Sequence, residues 1–176
     1  ASWRRPRACA TLARVRHRAA GRLNSGVRRS KGYAVNSRFN FKKFILTTLI
    51  VSIWINLSEV FRYFVIVMPK TREHLSMVPG VAPMNWGVFA IWGVWDTLLT
   101  ALVVFMYWLV AQRFGNNSKS AMLAGTTSWL FFFVLFWVGL VNMGLTSVSL
   151  AAIALPLAWL EMVVASWIAS RLYARA

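Results

Sequence analysis

The sequence predicts an all-α integral membrane protein, a four-transmembrane-helix bundle preceded by a basic N-terminal extension. Three observations lead there. The 176-residue chain is 59% hydrophobic and 15% aromatic, too apolar for a water-soluble domain of that length. Its formal charge of +16 is gathered at one end, with thirteen of the twenty Lys and Arg placed before Phe44. Beyond that point come four long apolar stretches, and about 20 such residues suffice to cross a bilayer.

Residues 1–43 form the extension, which holds thirteen bases and no acid and has no means of building a packed core. Within it Leu12, Val15, Ala19 and Leu23 recur at helical spacing while Arg14, Arg18 and Arg22 line another face. That is the pattern of an amphipathic helix on an anionic surface. Three readings stand side by side: an organellar transit segment, a non-native upstream extension, and a basic arm that touches the membrane surface. Nucleic acid is not an expected partner, since the tail has neither interleaved aromatics nor a reading helix.

The main domain, residues 44–176, carries seven Lys or Arg against Glu59, Glu73, Asp96 and Glu161. Its first span runs about 44–68 with Glu59 and Arg62 as the charged residues, and Pro69 is expected to end it. A secretory signal fits this segment poorly because it is too long and lacks small residues at a cleavage point. The 17-residue connection from Pro69 to Asn85 contains Pro69, Pro79 and Pro83 and reads as an irregular surface loop. The second span, about 86–110, has Asp96 as its one charge. The sequence RFGNNSKS then marks a polar turn before the third span, about 121–143. Only NMGLT separates that span from the fourth, about 147–170, so the two form a tight antiparallel hairpin. Trp86, Trp108, Trp129 and Trp167 fall where interfacial aromatic belts belong.

The bias of Lys and Arg sets the orientation. The basic tail, Arg113, Lys119, Arg171 and Arg175 fall on one side, which is cytoplasmic, or matrix-facing in an organelle; Lys70 and Arg72 fall on the other. The expected location is therefore a bacterial or organellar inner membrane with both termini inside.

The carboxylates at mid-span carry the functional signal. An acidic residue at a helix centre costs roughly 2.5–3.5 kcal/mol to insert, and intramembrane ionisable residues mark candidate sites. Glu59, Asp96 and Glu161 each occupy a different helix, and Arg62 sits three residues after Glu59, where the two can pair. The bland alternative is that these groups serve only to glue helices together. On the first helix Thr48, Ser52, Asn56, Glu59 and Tyr63 share a face, more polar groups in line than packing needs. On the second, Asp96 shares its face with Phe89, Trp92, Thr100 and Tyr107. The third presents Gly125, Ser128, Phe132, Leu135, Gly139 and Asn142, and the fourth surrounds Glu161 with Ala154, Ala158 and Ala165. Trp92 and Trp95 flank Asp96 within a turn, and aromatic faces beside a carboxylate suit a cation. Pro156, five residues before Glu161, is expected to free the carbonyl of Ala152 and kink the fourth helix.

The candidate ion- or solute-binding residues are therefore Glu59, Arg62, Asp96, Glu161, Asn56, Trp92 and Trp95. The leading functional expectation is ion- or proton-linked binding or transport of a small solute, with a cation as one candidate. The alternative is a non-catalytic accessory or assembly subunit of a larger membrane complex. An enzyme is a more distant third. The chain shows no phosphate-binding glycine loop, no HExxH and no nucleophile elbow. The single Cys9 and two histidines, His17 and His74, argue against a metal centre, and no cofactor is expected. Beyond the lipid bilayer, the partners the sequence allows are a second copy of the chain or a larger membrane complex.

Overall fold

A computed structural model of the chain describes residues 39–81 and 84–174. The amphipathic helix expected in the N-terminal extension, Pro83 and Arg175 lie outside the described residues. Four helices, α1 (Phe41–His74), α2 (Trp86–Phe114), α3 (Ser118–Asn142) and α4 (Val148–Ala174), are long and apolar enough to cross a membrane. Most of their surface faces outward rather than into the bundle, as lipid-exposed helices require.

Polar caps, not the apolar stretches, set where these helices begin. The side-chain oxygens of Asn40, Asn85 and Asn117 accept from the backbone N–H of Lys43, Val88 and Ser120 at 3.0, 3.0 and 2.9 Å. Ser147 does the same for Leu150 at 3.2 Å. At the end of α3 the chain turns through Gly144 at φ 71°, with Gly144 N–H bonded to Val141 O and Leu145 N–H to Leu140 O, both at 3.0 Å. This Schellman arrangement needs a left-handed residue, which glycine supplies without strain. It produces the tight α3–α4 hairpin.

Pro69 does not end the first helix. A π-helical segment, Tyr63–Val67, precedes it, and an α-helix resumes over Met68–His74 with Pro69 in its first turn. The wide π turn immediately before it accommodates the proline ring and its missing N–H, so the helix continues. The irregular connection is correspondingly shorter than expected and starts at Leu75. In α4, Pro156 lies inside a helix that continues on both sides of it.

A second π segment, Leu130–Val134, lies in α3 and overturns the expected inward stripe of that helix. Ser128 is buried, but the next inward residues are Phe133 and Trp137, while Leu135 is exposed. The step from Ser128 to Phe133 is five residues, the spacing of one wide turn, so everything beyond it is rotated by about one residue. Trp129 is also displaced from its expected interfacial role. It sits in the middle of α3 and its indole donates to Leu155 O on α4 at 2.8 Å, one residue before Pro156.

Helices successive in the chain run antiparallel. α1 packs on α2 and α4, and α3 packs on α4. α3 and α4 approach closely at Gly125, where a Cβ would lie 2.7 Å from Met162 O and from Val163 Cα. The alanine face of α4, Ala154, Ala158 and Ala165, is fully buried and admits this contact. Helix α2 packs extensively along Ser118–Trp129 of α3 and at most sparsely along Leu135–Asn142 beyond the π segment. The bundle is therefore closed at the end where α2 finishes and parted between α2 and α3 at the other.

Candidate functional site

The parting encloses a cavity of about 580 Å³. Its wall starts at Asn56, Asp96 and Leu99 and continues to Thr71, Met84, Leu145 and Thr146, where the α1–α2 connection and the α3–α4 turn meet. From Asp96 to Trp86, the first residue of α2, is about 15 Å at 1.5 Å per residue, so the charged floor lies well inside the span. Both π segments border this space, through Tyr63, Phe64 and Val67 on α1 and Phe131, Phe132 and Phe133 on α3. Such wide turns expose backbone and redirect side chains, and they recur at functional sites.

Arg62 is the hub of the floor. It is 5% exposed, and its Nη2 donates to Oε1 of Glu59 on the preceding turn of its own helix. The same nitrogen lies 3.6 Å from Oε2 of Glu161, which α4 holds 1% exposed. Above it stands the ring of Phe133, with its centroid 4.9 Å from the guanidinium carbon. One arginine thus gathers groups from α1, α3 and α4. A guanidinium does this well because its planar fork addresses two carboxylates while its face stacks on an aromatic ring.

Asp96 enters from α2 and completes the ring of helices. It is 7% exposed, lines the cavity, and has Glu59 and Arg62 as its charged neighbours, yet among the described residues it forms no ion pair. Its carbonyl oxygen accepts from Thr100 Oγ1 at 2.6 Å, which closes the polar face of α2 below it.

The floor is short of hydrogen bonds. Nη1 of Arg62 has no hydrogen-bond partner among the described residues, and the buried Glu161 carboxylate has only the Ser58 side chain and the more distant Arg62 to compensate it. Buried polar groups are seldom left so, and the usual companions of such orphans are water, an ion or a ligand. Three carboxylates against one guanidinium also leave a formal charge of −2 when all are ionised. The arrangement can hold a cation or take up protons in its place.

All seven residues expected from the sequence fall at or beside this cavity. Asn56, Glu59, Arg62, Trp92, Trp95 and Asp96 line it. Glu161 stands behind the lining and touches it through Arg62. Asn56 turns its amide back to Ser52 O at 2.8 Å, and its carbonyl oxygen faces Gly93 of α2, 3.7 Å from where a Cβ would stand. Trp92 and Trp95 form part of the wall, and both residues are about half exposed.

Three contributors were not expected. Phe133 reaches Arg62 only because the π segment rotates α3, which nothing in the apolar sequence LFFFV announces. Ser58 faces Glu161 from the turn of α1 that carries Glu59. Trp54 donates its indole N–H to the backbone oxygen of Glu161 at 3.3 Å and ties α1 to that turn of α4.

The opposite end of the bundle is closed. The fully buried Tyr107 donates its hydroxyl to Asn116 Oδ1, and the Asn116 amide donates to Ser170 O at 3.1 Å. Lys43 Nζ donates to Tyr173 O at 3.0 Å and sits 4.9 Å from the centroid of the same residue's ring. Comparison of the chain with protein-family models, with curated proteins and with solved structures returns no match.

Proposed function

We propose that this membrane protein binds a small cationic solute at the cavity floor and exchanges it for protons, as one step of moving it across the bilayer. The observation that carries the reading is the imbalance of charge. Glu59, Asp96 and Glu161 surround a single guanidinium at the closed end of an apolar cavity, where an extra positive charge offsets what Arg62 leaves unmatched. In a low-dielectric site such compensation is worth far more than at a wet surface. Asp96, which borders the cavity and forms no ion pair among the described residues, is the exchanging group; Glu59 contacts the cation beside it, and Arg62 and Glu161 hold the floor in place. The bias of Lys and Arg, with Arg113 and Lys119 in the α2–α3 connection, supports a cytoplasmic or matrix-facing placement of that side and of both termini.

Proton release on cation binding tests the reading. The full chain in detergent is mixed with alkylammonium ions, from tetramethylammonium to dodecyltrimethylammonium, in weak buffer at pH 6 with a pH-sensitive dye. Displacement of protons from the floor lowers the pH, and Glu59→Gln or Asp96→Asn reduces the release by at least half. No release with any member, or the same release in both variants, overturns the proposal and leaves the accessory-subunit reading in its place.

A further inference from the structure

We infer that the solute is a single-chain amphiphile with an ammonium head, and that it reaches the floor sideways from the bilayer through the parting between α2 and α3. The inference rests on the cation-binding reading and adds the route and the chemical class. The route follows from which lining residues are covered. Trp95 on α2 and Phe131 and Phe136 on α3 border the cavity, yet they are 55%, 56% and 59% exposed. In a bundle crossing a membrane such surface meets hydrocarbon, so this side of the cavity is continuous with the lipid. The helices leave it open because α2 packs extensively on α3 only as far as Trp129, and the π segment turns the next residues of α3 away.

The chemical class follows from what the two ends of that opening offer. The outer part is aromatic and aliphatic and has few polar groups to match a hydrated ion, which would lose its shell there without compensation. The inner end presents carboxylates in excess. A molecule with a hydrocarbon chain in the parting and a positive head at Glu59 and Asp96 satisfies both. The volume of about 580 Å³ lies within the range of about 300–1,000 Å³ typical of sites for small molecules.

The test uses the same alkyltrimethylammonium series on the full chain in lipid nanodiscs, with affinity read from proton release and corrected for partition into empty discs. Affinity is expected to rise at least tenfold from the one-carbon to the twelve-carbon chain. Phe131→Ala with Phe136→Ala is expected to remove most of that rise, while Leu135→Ala, an exposed neighbour outside the cavity, leaves it unchanged. All three side chains are more than half exposed, so the folded bundle survives their truncation. Equal affinity along the series, or a rise that survives the double substitution, overturns the lateral amphiphile and leaves a small-cation site standing. Absence of proton release along the whole series overturns cation binding itself.

Discussion

Nη2 of Arg62 lies 3.6 Å from Oε2 of Glu161, and this contact joins the first helix of the bundle to the last through two side chains that are both almost fully buried. Removing one partner of such a pair leaves the other charge without compensation, which typically costs about 3–5 kcal/mol. Arg62→Met is therefore expected to lower the thermal unfolding midpoint in detergent strongly. Glu161→Gln leaves Arg62 its bond to Glu59 and costs less. The double substitution recovers part of the loss, and a strictly additive result would show that the two groups do not interact.

Gly125 tests the helix approach on which the closed part of the bundle depends. A Cβ there meets Met162 O at 2.7 Å, backbone that cannot move aside without separating α3 from α4. Gly125→Ala should destabilise the protein by about 1–3 kcal/mol, the usual range for overpacking. Gly139, on the same helix, has no neighbouring atom within 4 Å of where a Cβ would stand and serves as the control. Gly139→Ala is expected to leave the unfolding midpoint unchanged or slightly raised, because alanine is the better helix former.

The latch at the closed end makes a separate prediction. Tyr107→Phe keeps the ring, which is fully buried, and removes the hydroxyl that donates to Asn116 Oδ1. An acceptor left without its donor in a buried setting costs about 1–3 kcal/mol. Unfolding should be easier by that amount, and amide exchange in the α2–α3 turn faster. An unchanged exchange rate would show that this hydrogen bond does not hold the turn.

Orientation is accessible by labelling. Ser76 in the α1–α2 connection and Ser118 at the start of α3 are both exposed, and α2 lies between them. In a Cys9→Ser background, Ser76→Cys should react with an impermeant maleimide from the outer face of intact cells and Ser118→Cys only after permeabilisation. Reaction of both from the same face would contradict a spanning α2, and the reverse pattern would invert the proposed orientation.

Much of the architecture could be read along the chain because it depends on local composition. A run of some 25 apolar residues forms a helix in a membrane whatever its neighbours do, since every backbone N–H and C=O must be paired within the segment. The polar residues that stop each run, with Asn40, Asn85, Asn117 and Gly144 at the ends, are likewise local signals. The boundaries were harder. Pro69 reads as a terminator, yet the wide turn before it lets the helix resume, and polar residues up to His74 continue it.

The carboxylates could be picked out by residue type and depth, but not their roles. Glu59 and Arg62 stand one turn apart and pair within one helix, whereas the bond from Arg62 toward Glu161 depends on how α1 and α4 are rotated against each other. That rotation is set by packing, through the alanine face of α4 and the closeness it permits. Phe133 shows the same limit, since a helix of even apolarity carries no record of its own phase, and a single five-residue turn replaced Leu135 with Phe133 and Trp137 on the inward face. Four membrane-length helices, their order and their charged residues follow from hydrophobicity and charge, which are properties of each segment alone. The cavity, its opening between α2 and α3 and the arginine shared by two glutamates arise only when the segments meet, because distance and facing between residues far apart in the chain are fixed by side-chain contacts across helices.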